Sequence, residues 1–308
     1  MIPSTHSIFA RSFFGVGYHR LVLVWAVVAC LLGSLRAQNI TAVTVDPAPD
    51  KNYPAAMDSI IIPSHGSNMY GVIYLARGEA PHPTMVILHG LPGIEQNLDI
   101  AQAVRRAGWN VIAFHYRGSW ASQGTFSFSN ALEDVPAAVD FVTASAIVKK
   151  YRIDPSRVVL LAHSFGGFLA VQSGSRDSRI FGMVLLDPWN LGASIAQLKP
   201  ADEKETIEDF ADSVNVLSGC TAESLLAEAK SHAKEWDFSR SIETLSARPL
   251  LLIGADRGDS PDNQSFAYMI LKTAGKRATV KSLPTDHFFS DHRIAVAETI
   301  VRWLEQFK

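Results

Sequence analysis

A serine becomes a useful nucleophile when a tight turn exposes its hydroxyl and a base stands within reach of its proton. The segment Ala162-His163-Ser164-Phe165-Gly166-Gly167 has the residue types for such a turn. An apolar run, 157–162 (RVVLLA), precedes it and a helical pattern follows, so Ser164 is expected where a strand turns sharply into a helix. That places the hydroxyl at a helix N-terminus, where backbone N–H groups can meet a developing oxyanion. The glycines suit a turn in which strand and helix approach closely. Ala162 stands where this pattern usually has glycine, the smallest possible departure.

The other parts of an acyl-transfer site are spread along the chain. His89-Gly90-Leu91-Pro92-Gly93 follows the apolar run 84–88 (TMVIL). Its backbone N–H at Leu91, with that of Phe165, would form an oxyanion hole. His89 is read as support for this loop and not as a catalytic group. The base is expected late in the chain, at His287 in Asp286-His287-Phe288-Phe289, with His292 the less suitable choice. A His287/His292 metal pair has no carboxylate-and-His cluster with metal spacing to support it. The acid that orients the base is expected after the run 249–253 (PLLLI), in Gly254-Ala255-Asp256-Arg257-Gly258-Asp259. Asp256 is narrowly favoured because it lies nearer the strand end, Asp259 is the alternative, and Asp187, ending 182–186, is a third. Arg117 could bind a carboxylate or pin loops by hydrogen bonds. Trp120, Trp189 and Trp236 could line a pocket, with at least one in plain core packing.

Something must hold these residues at one place. Short apolar runs at 59–63, 70–75, 84–88, 110–115, 157–162, 182–186, 249–253 and 278–283 read as strands. The first two flank His65-Gly66-Ser67-Asn68 and read as a hairpin. Helical spacing occupies 98–107, 132–143, 165–174 and 293–307 between them. Strands alternating with helices imply an α/β fold with a mostly parallel central sheet covered on both faces. Ligands bind such sheets at the carboxyl edge. The stretch 190–234 breaks the rhythm and is expected to be a small helical cap above that edge.

The order Ser164, Asp256, His287 is that of the α/β-hydrolase triad. From about residue 58 to 308 the chain resembles a bacterial α/β-hydrolase, and is similar to the serine-hydrolase relatives of dienelactone hydrolase and prolyl oligopeptidase. The matching pieces are HGLPG, Tyr116-Arg117-Gly118, AHSFGG, GADRGD and DHFF. The resemblance implies a serine hydrolase acting through an acyl-enzyme, with no cofactor or metal. Carboxylic esters are the first substrate class and short peptides or amides the second. A hydrolase fold that serves only for binding is the reading of a different class.

Composition removes other classes. The 308 residues are 47% hydrophobic, and 28 basic face 30 acidic residues, which fits neither a disordered chain nor a nucleic-acid binder. The charge is uneven. Residues 1–37 carry Arg11, Arg20 and Arg36 and no acid, and the apolar run 21–33 follows Arg20. This is the pattern of a signal peptide or N-terminal anchor, with a small residue at Ala37, and implies an exported protein. Cys30 also stands in a sequence similar to a lipoprotein box, which would attach the chain to a membrane. Residues 38–57 read as an arm. Only Cys220 lies beyond the leader, so the domain must stand on its core without an internal disulfide.

Overall fold

The computed structural model describes residues 41–258 and 263–307. The N-terminal segment 1–37, its cleavage site and Cys30 lie outside the described residues, as does Asp259. Among the described residues no helix is long and apolar enough to cross a membrane.

Eight strands form one sheet: β1 (Ala56–Ser64), β2 (Ser67–Leu75), β3 (His82–Leu88), β4 (Asn110–Phe114), β5 (Ile153–His163), β6 (Ile180–Leu186), β7 (Leu250–Arg257) and β8 (Ala278–Asp286). Their order is β1-β2-β4-β3-β5-β6-β7-β8. β1 and β2 form an antiparallel hairpin, β2 meets β4 antiparallel, and every later pairing is parallel. The centre is buried on both faces: all seven residues of β3 and all five of β4 are buried. That is why these strands read as continuous apolar runs, while β1 at the edge alternates exposed and buried residues.

The helices are α1 (Leu98–Arg106), α2 (Phe128–Thr143), α3 (Ser145–Tyr151), α4 (Phe165–Gln172), α5 (Leu191–Ala196), α6 (Glu203–Val214), α7 (Ala222–Trp236), α8 (Ile242–Leu245), α9 (Asn263–Ala274) and α10 (Arg293–Leu304). One core on one face of the sheet joins α1 and α10 through Ile100, Val104, Ile300 and Val301. A larger one on the other face gathers Val135, Val139, Phe165, Phe168 and Trp236. α4 is buried at all eight positions, which explains its lack of a polar stripe. Helices α5, α6 and α7 lie between β6 and β7. α3, α8 and α9 go beyond the helices read from the sequence. At 42–43 the backbone carbonyls of Ala42 and Val43 accept from Arg106, which ties the arm to α1.

Arg117 proves to be a pin and not a ligand for substrate. Its Nε donates to Asp134 Oδ1 at 2.6 Å, and its Nη2 to Asn130 O and Glu133 Oε2, each at 2.7 Å. Asp134 is fully buried and also accepts from Ser64 Oγ at 2.6 Å, so the ion pair locks the loop after β4 to α2 and β1. Removing one partner of a buried pair leaves the other charge uncompensated. Arg117→Ala is therefore expected to lose about 3–5 kcal/mol of stability in urea unfolding, and Arg117→Met, which keeps the apolar stem, to lose most of it too.

Candidate active site

The turn at Ser164 is as tight as its glycines suggest. Ser164 has φ 54° and ψ −118°, a conformation that costs energy for a residue with a side chain and is held by its surroundings. Its N–H donates to Leu186 O at 3.1 Å, and its carbonyl accepts from Gly167 N at 2.8 Å and Trp189 N at 3.0 Å. The end of β5 is thus stitched to the end of β6. A Cβ on Gly166 would overlap the Leu88 carbonyl, and one on Gly167 would overlap Pro188, so no larger residue fits either position. Ala162 is fully buried and paired with both neighbouring strands. Phe165 opens α4, where the first N–H groups have no intrahelical acceptor.

His287 follows β8. Its Nδ1 donates to Asp187 Oδ2 at 2.6 Å. Asp187 directly follows β6 and is fully buried. Its own N–H donates to Ile253 O at 2.8 Å, and its Oδ1 accepts from Ala255 N at 3.3 Å. The expectation for the orienting acid is therefore corrected: Asp187 holds His287, and Asp256 does not. The reason lies in strand length. β7 continues past Ile253 to Arg257, with Gly254 and Ala255 paired to Ser282 and Leu283 of β8. Asp256 is thus within the strand, at a bulge between the paired Ala255 and Arg257, exposed, and accepts from Ser282 Oγ. The polar letters GADR hid that continuation. The sequence signal that could have favoured Asp187 is its place directly after a fully apolar strand end.

Two further histidines support the site. His163 is buried, and its Nε2 donates to the backbone carbonyl of His287 at 2.9 Å. The two imidazoles lie with centroids 4.7 Å apart and 34° between planes. A carbonyl can only accept, so the proton of His163 sits on Nε2, and its Nδ1 is buried without a partner. Under the glycine loop, His89 Nδ1 donates to Gly90 O at 2.7 Å, and its bare Nε2 accepts from His115 Nδ1 at 3.2 Å. Gly93 packs so closely on the His89 ring that a Cβ there would overlap it. His89 thus shapes the loop that carries Leu91. His292 bonds its neighbour Asp291 at 2.9 Å and stands apart from the site cavity.

Ser164, His163, His287 and Leu91 line one cavity of about 610 Å³. Trp189, Ile195, Leu198 and Phe210 give it an apolar wall from β6 to α6. Of the three tryptophans, only Trp189 lines it. Trp236 packs on Phe128 and Phe168 in the core. Trp120 donates its indole N–H to Pro92 O at 2.8 Å and braces the glycine loop. Among the described residues no three His, Cys, Asp or Glu side chains cluster as metal ligands.

A strained serine at a strand-to-helix elbow, on a mostly parallel sheet whose later strand ends bring a His–Asp pair beside it, is the architecture of the α/β-hydrolases. The comparison with known families agrees. A model described as alpha/beta hydrolase family matches residues 85–299, and the chain belongs to that family. It is 30% identical over 233 residues to the uncharacterized protein YfhR of Salmonella typhimurium, covering 70% of this chain and 78% of that one. It is 28% identical over 149 residues to the quorum-quenching protein AidA of Acinetobacter baumannii, covering 46% of this chain and 47%, about half, of the relative. Among solved structures, Est1E of Butyrivibrio proteoclasticus with bound ferulic acid superposes with a TM-score of 0.63 at 16% identity, covering 80% and 98% of the two chains. The hyperthermophilic esterase of Pyrobaculum calidifontis gives 0.58 at 18% identity, with 94% and 98% covered.

Burial holds the supporting histidines neutral. It takes His89 from 6.5 down to about 3 and His163 from 6.5 down to about 4. In the unfolded chain both would bind protons first, so their contribution to stability falls as pH drops from about 6.5 towards 4 and is constant above that window. Urea midpoints measured from about pH 7 to about pH 4.5 should decline, and His163→Phe, which keeps the ring contact but cannot titrate, should show a shallower decline.

Proposed function

We propose that this chain is a serine hydrolase that cleaves carboxylic esters through an acyl-enzyme. The observation that carries the proposal is the 2.6 Å bond from His287 Nδ1 to the buried Asp187, with Ser164 at its elbow in the same cavity. In this reading Ser164 Oγ attacks the ester carbonyl while His287 Nε2 takes its proton. The carbonyl oxygen, now negative, is held by the N–H groups of Leu91 and Phe165. His287 then gives the proton to the departing alcohol, leaving the acyl group on Ser164. Water, deprotonated by His287, releases the acid and restores the serine. Asp187 keeps the proton of His287 on Nδ1, so that Nε2 is free to act as base. His163 is a positioning residue: its bond to the His287 carbonyl holds the loop that carries the base, and its neutral ring adds no charge beside the imidazolium formed in the reaction.

The apolar wall of Trp189, Ile195, Leu198 and Phe210 supports an acyl group of modest size and low polarity. The similarity to the solved structure of the Pyrobaculum calidifontis esterase supports the same bond type.

A fluorophosphonate probe should label the wild type and not Ser164→Ala. With a p-nitrophenyl ester, Asp187→Asn should lower kcat by about 10⁴, the effect of losing the orienting acid, and Asp256→Asn should stay within a few-fold of wild type. Labelling that survives Ser164→Ala would overturn the nucleophile. Full activity in Asp187→Asn would overturn the acid.

A further inference from the structure

The cavity that holds Ser164 continues past its rim. Ile94, Glu95 and Phe288 line it and also line a second basin of about 540 Å³. Ile94 is 76% exposed and Phe288 52%, so two apolar side chains stand as a saddle between the two spaces. Beyond the saddle Gln96, Asp99, Ser290 and Arg293 bring polar groups to the lining, beside Leu98.

The proton path says which part of an ester would cross the saddle. Asp187 occupies His287 Nδ1, so Nε2 must protonate the leaving oxygen. The alcohol therefore departs on the His287 side of Ser164. Phe288, the next residue in the chain, stands between that side and the second basin. The acyl part keeps the wall of Trp189, Ile195, Leu198 and Phe210, none of which reaches the second basin.

The charges of the basin define what it can take. Arg293 is its one cation among the described residues, and its guanidinium is committed. Nε and Nη2 donate to the two oxygens of Asp99 at 2.9 and 2.5 Å, Nη2 also to Asn97 Oδ1 at 3.0 Å, and Nη1 to Phe288 O at 3.0 Å. Glu95 adds a second carboxylate, 3.9 Å from the same guanidinium. The basin thus has an excess of negative charge and no free cation, which disfavours an anionic leaving group. Gln96 supplies an amide that both donates and accepts, which suits hydroxyl groups.

Resting on the ester-hydrolase reading, we propose that this second basin is the alcohol subsite and that it takes an uncharged, hydroxyl-bearing alcohol of glycerol or sugar type. Ile94 and Phe288 would cover the carbon next to the scissile oxygen, and Gln96 would bind a hydroxyl further out.

The test holds the acyl group constant and varies the alcohol: butyrate esters of ethanol, glycerol and glycolate, compared by kcat/KM on the full chain. In the wild type the glyceryl ester should exceed the ethyl ester by about threefold to tenfold for each hydrogen bond gained, and the anionic glycolate ester should fall below both. Gln96→Leu should bring the glyceryl-to-ethyl ratio towards one, and Phe288→Ala should reduce it by opening the saddle. A wild type that hydrolyses all three esters alike, a preference for glycolate, or a glyceryl preference that persists in both variants would overturn the subsite while leaving the hydrolase reading in place. Failure to hydrolyse any ester, together with no fluorophosphonate labelling of Ser164, would overturn the hydrolase reading and the subsite with it.

Discussion

The bond between His287 and Asp187 fixes the relation of three chain segments that the sheet alone would leave adjustable. Asp187 follows β6, His287 follows β8, and β7 lies between the two strands. A fully buried carboxylate is costly unless charged or polar partners surround it. Here the partners are the imidazole and the backbone N–H of Ala255, while the N–H of Asp187 itself reaches Ile253. The strand between the two residues is thereby part of the support. Gly258 packs so closely on the carboxylate that a side chain there would strike Asp187 Oδ2. The geometry at the base therefore depends on a glycine in a loop that holds no proposed catalytic group.

The fold was legible because its signal is repetitive. Each of the eight strands had an apolar run of its own, and the parallel centre, buried on both faces, gave the clearest ones. Strand ends were harder. β5 begins at Ile153, well before the run at 157, because its first turns are polar and partly exposed. The same difficulty bears on the acid: β7 runs on to Arg257 through the pairing of Gly254, Ala255 and Arg257 with β8, with Asp256 at a bulge, and pairing with another strand leaves no trace in local hydropathy. Ser164 was legible because it sits where a strong apolar run stops, and His287 because it is the histidine that follows the last strand. Asp187 meets the same criterion as Ser164 directly after 182–186, and local hydropathy does not choose between it and an acid after 249–253.

Support for the site comes largely from groups held without charge. His89 and His163 are buried where protonation is penalised by loss of solvent, and each spends its one N–H on a carbonyl of the loop it supports. In the proposed reaction the positive charge forms on His287 alone. Neutral, hydrogen-bonded neighbours hold the geometry without competing for that charge, as preorganised dipoles do in acyl transfer.

The ring contact of His163 and His287 carries one more consequence. The carbonyl partner of one ring and the carboxylate partner of the other place their protons on opposite nitrogens, Nε2 in His163 and Nδ1 in His287. Two neighbouring rings of identical chemistry are therefore opposite tautomers. A nitrogen magnetic-resonance spectrum would see them as a reversed pair, and so would distinguish the ring that faces the serine from the ring that carries its loop.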